Sequence, residues 1–145
     1  MRLTTPYHFL DRLLWADRAS AGGGAGDAST DLLRRLCLYL LDLAVLEYSL
    51  VPTEPGRVAA AAVYLARVTL GARDGTAAGG RWSATLAHCT WYGVGDLEGP
   101  VRLLRRLQKP AKDDATSSLF NKHKGGKCGQ VVLKTGVCEA DLGFV

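Results

Sequence analysis

The chain has 145 residues, the size of one ordinary domain, so a tandem arrangement of domains does not fit. Its composition, 48% hydrophobic and 22% charged, supports a packed core and excludes a disordered chain. The net charge of +4 is too small to indicate nucleic-acid binding by itself.

Cysteine usage and the absence of targeting signals indicate a protein of the cell interior. The most apolar stretch, residues 36–46, is too short to cross a bilayer and is interrupted by Asp42, and no signal-peptide pattern follows Met1. We therefore expect no membrane association and a nuclear and cytoplasmic location. The cysteines form no C-x-x-C pair and are expected to be reduced, buried thiols: Cys37, Cys89, Cys128 and Cys138.

Two helical patterns open the chain. Thr5 followed by Pro6 predicts the start of the first helix, because threonine is a good N-cap and proline suits the first helical position. The Gly-rich run 20–29 is predicted to be a flexible loop. Ser29 or Thr30 then caps a second helix, whose leucines lie on nearly every side. Such a helix is typically surrounded by others, so we expect it to be the central helix.

The third and fourth helices follow. Pro55 opens the third, and Gly71 is placed to cap its C-terminus. Four consecutive alanines, residues 59–62, form a smooth face that a neighbouring helix can approach closely. Residues 71–80 are predicted to be another loop, after which Ser83 caps a short fourth helix.

The fifth helix is predicted to start at Pro100, after Gly93 and Gly95 break the fourth. Residues 115–124 are predicted to form a last helix, and residues 130–133 an apolar tail packed in extended form. No β-hairpin alternation or solenoid repeat is present. The expected fold is therefore an all-α bundle around a hydrophobic central helix, with an extended C-terminal tail.

No pattern of catalytic or metal-binding residues emerges. The sequence lacks a nucleophile elbow, a P-loop and a dinucleotide-binding motif, so we expect no catalytic residue and no cofactor. Surface placement or packing explains His8, His88 and His123 better than catalysis does. A zinc site built from His123, Cys128 and Cys138 fits no common finger spacing and is not favoured. Three aromatic residues flank the fourth helix and are expected to pack in the core or at a hinge: Trp82, Trp91 and Tyr92.

A basic stretch spans residues 102–134, with nine lysines and arginines against two aspartates. A solvated helix face and a lysine-rich surface loop explain it better than contact with nucleic acid or an acidic partner. Its start nevertheless supplies the candidate partner surface of the chain. The three arginines expected on the polar side of the fifth helix are Arg102, Arg105 and Arg106.

Several short motifs occur in the order found in one protein family. Residues 5–12 read TPYHFLDR, 46–48 read LEY, 59–66 read AAAAVYLA, 82–86 read WSATL, and 120–124 read FNKHK. Together with the helix order, these motifs resemble the second, C-terminal cyclin box of A/B-type mitotic cyclins, over residues 4–133. The resemblance implies a single five-helix cyclin box at residues 1–134 and a C-terminal tail at 135–145.

The resemblance also implies a function. The chain, or the protein of which it is a fragment, would be a regulatory subunit of a cyclin-dependent serine/threonine protein kinase in mitotic cell-cycle control. Such a cyclin turns the kinase's regulatory helix inward and completes a phosphoryl-transfer site that the kinase already contains. In that family the first box supplies most of the kinase contact and the substrate-docking patch. The second box mainly supports the first.

Three residues depart from the family pattern, and two other functions are compatible with the sequence. Gly56 stands where the family usually has serine, His123 where it has tyrosine, and Cys128 where it has phenylalanine. One alternative is a single-box adaptor in transcription that places its basic helix on DNA. The other, less favoured, is a small thiol or metal-dependent enzyme.

Overall fold

A computed structural model describes residues 4–20, 27–74, 82–113 and 122. They form five α-helices and one 3-10 turn, and no strand occurs within these ranges. The all-α, five-helix prediction is confirmed. The elements are α1 (Pro6–Ser20), α2 (Asp27–Val45), the 3-10 turn (Tyr48–Leu50), α3 (Pro55–Asp74), α4 (Ala84–Thr90) and α5 (Val94–Asp113).

Helix α1 begins at the predicted cap. The His8 backbone N–H donates to the Thr5 carbonyl at 3.1 Å, and the His8 ring nitrogen lies 3.3 Å from the Thr5 N–H and 2.9 Å from its hydroxyl. The imidazole nitrogen thus accepts a hydrogen bond from the Thr5 N–H, the role that a glutamate carboxylate has in a capping box. His8 therefore has a structural partner in the first turn of α1.

Helix α3 is the most enclosed helix of the bundle. Every residue from Val58 to Ala66 is buried, and α3 packs against α1, α2 and α5. Its alanines give a thin helix that three neighbours can approach closely. The bundle does surround an apolar helix, but α2, predicted to be central, has one face in solvent with exposed Arg34 and Arg35. Charged residues at helical spacing keep that face of α2 in solvent, although the helix is rich in leucine.

Helix α1 is also fixed to α3 by an ion pair. The Arg67 guanidinium lies 2.6 Å from the Asp17 carboxylate, and both side chains are mostly buried. Partial burial reduces the screening that makes most surface ion pairs weak. The pair therefore fixes the position of α1 along α3.

The turn between α4 and α5 follows from two caps. The Ser83 hydroxyl accepts a hydrogen bond from the Leu86 N–H at 3.2 Å, as predicted, and α4 ends at Trp91 in the left-handed conformation, with φ of 62°. The Asp96 carboxylate then accepts from the Gly93 N–H at 2.9 Å. This second cap starts α5 at Val94, six residues before the predicted start.

Other predicted boundaries also move. Helix α2 begins at Asp27, inside the predicted loop, and α3 continues through Gly71 to Asp74 instead of ending at that glycine. The predicted last helix at 115–124, apart from helical Lys122, and the tail at 130–133 lie outside the described residues. The domain limits at 134 and 135–145 likewise remain predictions. In the described ranges, no helix has both the length and the apolarity needed to cross a bilayer.

Candidate functional site

The predicted basic surface on α5 does not form as a row of three arginines. Arg102 and Arg106 are exposed, but Arg105 is buried, with 7% of its surface accessible. Residue 105 follows buried Val101 by one helical turn, so it lies at the edge of the apolar face. The assignment to the polar side rested on its charge and is wrong. Arg102 and Arg106 remain a predicted partner surface.

Two cations of the basic stretch have ion-pair partners. Arg102 lies 2.7 Å from Glu98, one turn earlier on α5. Lys122 lies 3.0 Å from the Asp42 carboxylate, whose side chain is only 15% exposed. Lys124, Lys127 and Lys134 lie outside the described residues. Among the residues whose side chains the structure describes, Arg102 and Lys122 therefore each have an acidic partner.

The described cysteines differ in their surroundings. Cys37 is fully buried, and its thiol donates a long hydrogen bond, 3.9 Å, to the Ala62 carbonyl. Burial and the nearby charge of Asp17 raise the pKa of the Cys37 thiol, so it stays protonated and unreactive. Cys89 is exposed, and the prediction of a buried thiol there is wrong.

The histidines and the suggested zinc ligands form no cluster in the part of the chain that the structure describes. No group of three metal-ligating side chains occurs among those residues. His88 is exposed, with its ring 6.1 Å from the Trp91 ring. The suggested zinc ligands, His123, Cys128 and Cys138, lie outside the described ranges.

A groove of about 580 Å³ opens beside α1. Its walls come from three elements, namely one face of α1, the first turn of α3 and the end of α4 with the turn that follows. Aromatic and aliphatic side chains make up much of the lining, with few charges among them. The lining residues are Phe9, Asp11, Arg12, Leu13, Trp15, Ala16, Gly56, Cys89, Thr90 and Tyr92.

Gly56 forms part of the groove wall because it has no side chain. A Cβ atom there would lie 3.4 Å from the Tyr92 hydroxyl and 3.6 Å from the Phe9 ring. A side chain there would therefore meet both groups at once. The departure from the serine usual in the resembling family thus lets both groups approach the start of α3.

Tyr92 is a firmly held wall of the groove. Its hydroxyl donates to the Glu54 carboxylate at 2.8 Å, the Arg57 guanidinium lies 5.5 Å from its ring centroid, and its carbonyl accepts from the Trp82 indole N–H at 3.0 Å. Partial burial, followed by the hydrogen bond to Glu54, raises the pKa of Tyr92. As predicted, Tyr92 and Trp82 pack against the core. Trp91 does not, since it is 86% exposed.

A second apolar feature lies where α2 leads into the 3-10 turn. Four large apolar side chains within seven residues are exposed there. Contiguous exposed apolar surface of this kind often marks a protein contact. We call it the α2 corner, and it consists of Val45, Leu46, Tyr48 and Val51.

The described part of the molecule is thus a small helical domain with a groove beside α1 and exposed apolar residues at the α2 corner. Residues 4–135 match the family model described as "Cyclin, C-terminal domain". The chain belongs to the cyclin family, and the predicted resemblance is confirmed.

The similar proteins are A- and B-type cyclins. The chain is 28% identical to Cyclin-B1-1 of Oryza sativa subsp. japonica over 96% of its length and 28% of that protein. It is 29% identical to the G2/mitotic-specific cyclin-B of Drosophila melanogaster, over 90% of the chain and 23% of the relative. It is 31% identical to Cyclin-A2-3 of Arabidopsis thaliana, over 90% and 27% respectively. The chain thus spans about a quarter of the length of these relatives. No solved structure gives a significant match.

Proposed function

We propose that this chain acts in a cyclin-type regulatory subunit that binds and activates a cyclin-dependent serine/threonine protein kinase at a mitotic transition. The observation that carries the proposal is the match to the cyclin C-terminal domain over residues 4–135, which includes all five described helices. The mitotic assignment rests on the B-type relatives, one of which is named G2/mitotic-specific.

The proposed mechanism is conformational. The kinase contains the phosphoryl-transfer site, and the regulator binds the arrangement in which the kinase's regulatory helix is turned inward. Moving a two-state kinase from almost wholly inactive to almost wholly active requires about 10⁴-fold tighter binding to the active state. In this proposal the described side chains supply binding energy, and none of them takes part in the chemistry.

The domain described here has a supporting part in that complex. The chain spans about a quarter of its relatives, so a kinase complex of their kind contains much more cyclin than these residues. We place a first cyclin box beside this domain in the complete regulator, and the kinase contact mainly on that box. For this regulator we propose a nuclear and cytoplasmic location.

The test uses the protein in its natural form. The chromosomal copy receives an affinity tag at the C-terminus, and the protein is purified from synchronised cells in G1, S and mitosis. We expect a cyclin-dependent kinase to co-purify in near-stoichiometric amount from mitotic cells. If no such kinase co-purifies at any stage, the kinase-regulator proposal is wrong.

Surface variants test which surface of the domain contacts the kinase. Tyr48→Asp changes the exposed α2 corner, and Arg102→Glu together with Arg106→Glu changes the predicted basic surface. Since all three side chains are exposed, these variants are expected to fold normally. A loss of the kinase from either purified variant assigns the contact to that surface.

A further inference from the structure

The groove beside α1 has a wall that other residues of the protein hold in place. Its wall residue Tyr92 is held by Glu54, Arg57 and Trp82, and the absence of a side chain at Gly56 lets the Tyr92 hydroxyl and the Phe9 ring lie close to the start of α3. A wall fixed before binding lowers the entropy lost when a ligand binds. The groove is therefore ready to accept an apolar side chain.

An exposed tryptophan adds to the apolar lining. Trp15 is 75% exposed although it lies on the same helix as buried Leu13 and Leu14. Tryptophan is enriched among the residues that dominate the energetics of protein interfaces, where its large rigid ring is buried by the partner. The Trp15 ring therefore offers a flat apolar surface to a ligand bound in the groove.

The polar groups of the groove are mostly engaged within the protein. The Thr90 hydroxyl donates to the Leu86 carbonyl at 2.7 Å and accepts from the Tyr92 N–H at 3.3 Å. The Tyr92 hydroxyl is bonded to Glu54. A small polar metabolite needs several convergent donors and acceptors, and both hydroxyls of this lining are already engaged. The lining instead suits an apolar group accompanied by one charge.

The sign of that charge follows from the ion pairs. Asp11 lies 3.0 Å from Arg34, so its charge is largely compensated by a residue of α2. Arg12 is exposed and has no ion pair or hydrogen bond within the described part of the chain. The uncompensated charge at the groove is therefore positive, and a carboxylate complements it.

We propose that this groove docks a short linear segment of a partner protein that carries a bulky apolar side chain next to an acidic residue. The apolar side chain lies against Phe9, Trp15 and Tyr92, and the acidic residue pairs with Arg12. The proposal is independent of kinase activation, because it concerns this chain alone. Kinase binding and peptide docking can therefore succeed or fail separately.

The test begins with the full 145-residue chain and a phage-displayed library of random dodecapeptides. Enriched peptides are synthesised with a fluorescein label, and their dissociation constants are measured by fluorescence anisotropy. We expect enrichment of peptides with an aromatic or large aliphatic residue adjacent to aspartate or glutamate. Enrichment of peptides without this pairing, or no enrichment, overturns the proposal.

Charge reversal gives the sharpest check. Arg12→Glu should weaken the selected peptides by about tenfold or more, the equivalent of one charged contact. Replacing the peptide's acidic residue by lysine should restore binding to Arg12→Glu and weaken binding to the unchanged protein. Arg106→Glu is the matched control, an exposed arginine on α5, which does not line the groove, and should leave affinity unchanged. Equal effects of the two substitutions contradict the docking site.

Two further measurements locate the peptide. Trp15→Ala should weaken it by about tenfold, whereas Tyr48→Ala at the α2 corner should not. Bound peptide should also slow alkylation of Cys89 by iodoacetamide, with Cys89→Ser used to assign the modified site. Circular dichroism checks that each variant retains its helices. Alkylation at an unchanged rate in saturating peptide would overturn this placement.

The groove could instead be occupied by a second copy of the chain. Analytical ultracentrifugation at micromolar concentration distinguishes the two occupants. We expect a monomer. A dimer that Trp15→Ala dissociates would assign the groove to self-association and would contradict the proposal.

Discussion

The Tyr7 hydroxyl donates a hydrogen bond of 2.5 Å to the Asp42 carboxylate and so joins the first turn of α1 to the last turns of α2. The other carboxylate oxygen of Asp42 accepts from Lys122 at 3.0 Å. One mostly buried carboxylate thus connects three parts of the chain that are distant in sequence. Loss of the Asp42 carboxylate should therefore remove the contacts of both Tyr7 and Lys122.

Tyr7→Phe should lower the free energy of unfolding by about 1–2 kcal/mol, since it removes a hydrogen bond to a charged acceptor that keeps its lysine partner. Tyr48→Phe is the matched control, because Tyr48 is 85% exposed, and should change stability little. Urea denaturation followed by circular dichroism measures both. Equal stabilities of the two variants would show that the Asp42 contact does not stabilise the fold.

The same contact predicts a pH dependence. Burial first, and then the hydrogen bond to Asp42, raise the pKa of Tyr7 from 10.0 to about 12. The folded state therefore holds the phenolic proton more tightly than the unfolded state does. The stabilisation is complete below pH 10 and is lost as the pH rises to 12. Unfolding measured from pH 9 to 12 should show a steeper decline for the unchanged protein than for Tyr7→Phe, and parallel curves would exclude this linkage.

Ser83→Ala should destabilise the protein by about 1 kcal/mol, because the N-cap hydroxyl satisfies the Leu86 N–H at the start of α4. Ser49→Ala is the control, since Ser49 is exposed and its side chain bonds the Glu47 carboxylate at the surface, where one substitution usually changes stability little. Thermal unfolding compares the two. A loss of stability from Ser49→Ala as large as that from Ser83→Ala would argue against the capping role.

Trp91→Gly should stabilise the protein by about 0.5–1 kcal/mol, because a left-handed backbone conformation is unfavourable for every residue with a Cβ atom. The indole is exposed, so little packing is lost. Trp91→Ala keeps the unfavourable Cβ and should bring no such gain. Chemical denaturation of both variants provides the comparison, and a stabilisation by alanine equal to that by glycine would refute the backbone explanation.

Gln108→Met should stabilise the protein by about 1–2 kcal/mol, the usual range for removing a buried polar group that lacks a partner. Gln108 is 1% exposed, and neither its amide nitrogen nor its oxygen has a hydrogen-bond partner within the described residues. Methionine has a similar shape and no such requirement. Gln108→Glu should do the opposite, and differential scanning calorimetry should show the two melting temperatures moving in opposite directions.

The five helices were predictable because apolar spacing, the Thr5–Pro6 start signal and the Ser83 hydroxyl cap act within one helical turn. The start of α5 was not, because Pro100 gives a strong start signal while the Asp96 cap depends on the geometry of a turn. Arg105 shows a similar limit. Its charge suggested solvent, whereas its position one turn after Val101 places it beside the core.

The groove could not be predicted from local patterns, since its walls come from α1, α3 and the turn after α4. The departure from the family pattern at Gly56 was visible in the sequence. Its consequence appears only when Phe9 and Tyr92 are seen on either side of it. Trp91 was expected to pack, but the left-handed turn directs its indole into solvent.

The measurement that tests the kinase-regulator account most directly is the phosphorylation rate of a co-purified cyclin-dependent kinase. The kinase is assayed alone and with stoichiometric amounts of the natural form of this protein, on a serine-containing peptide substrate. The account predicts an increase of about two orders of magnitude or more, as expected when a mostly inactive population becomes mostly active. An unchanged rate in the presence of a formed complex would contradict activation.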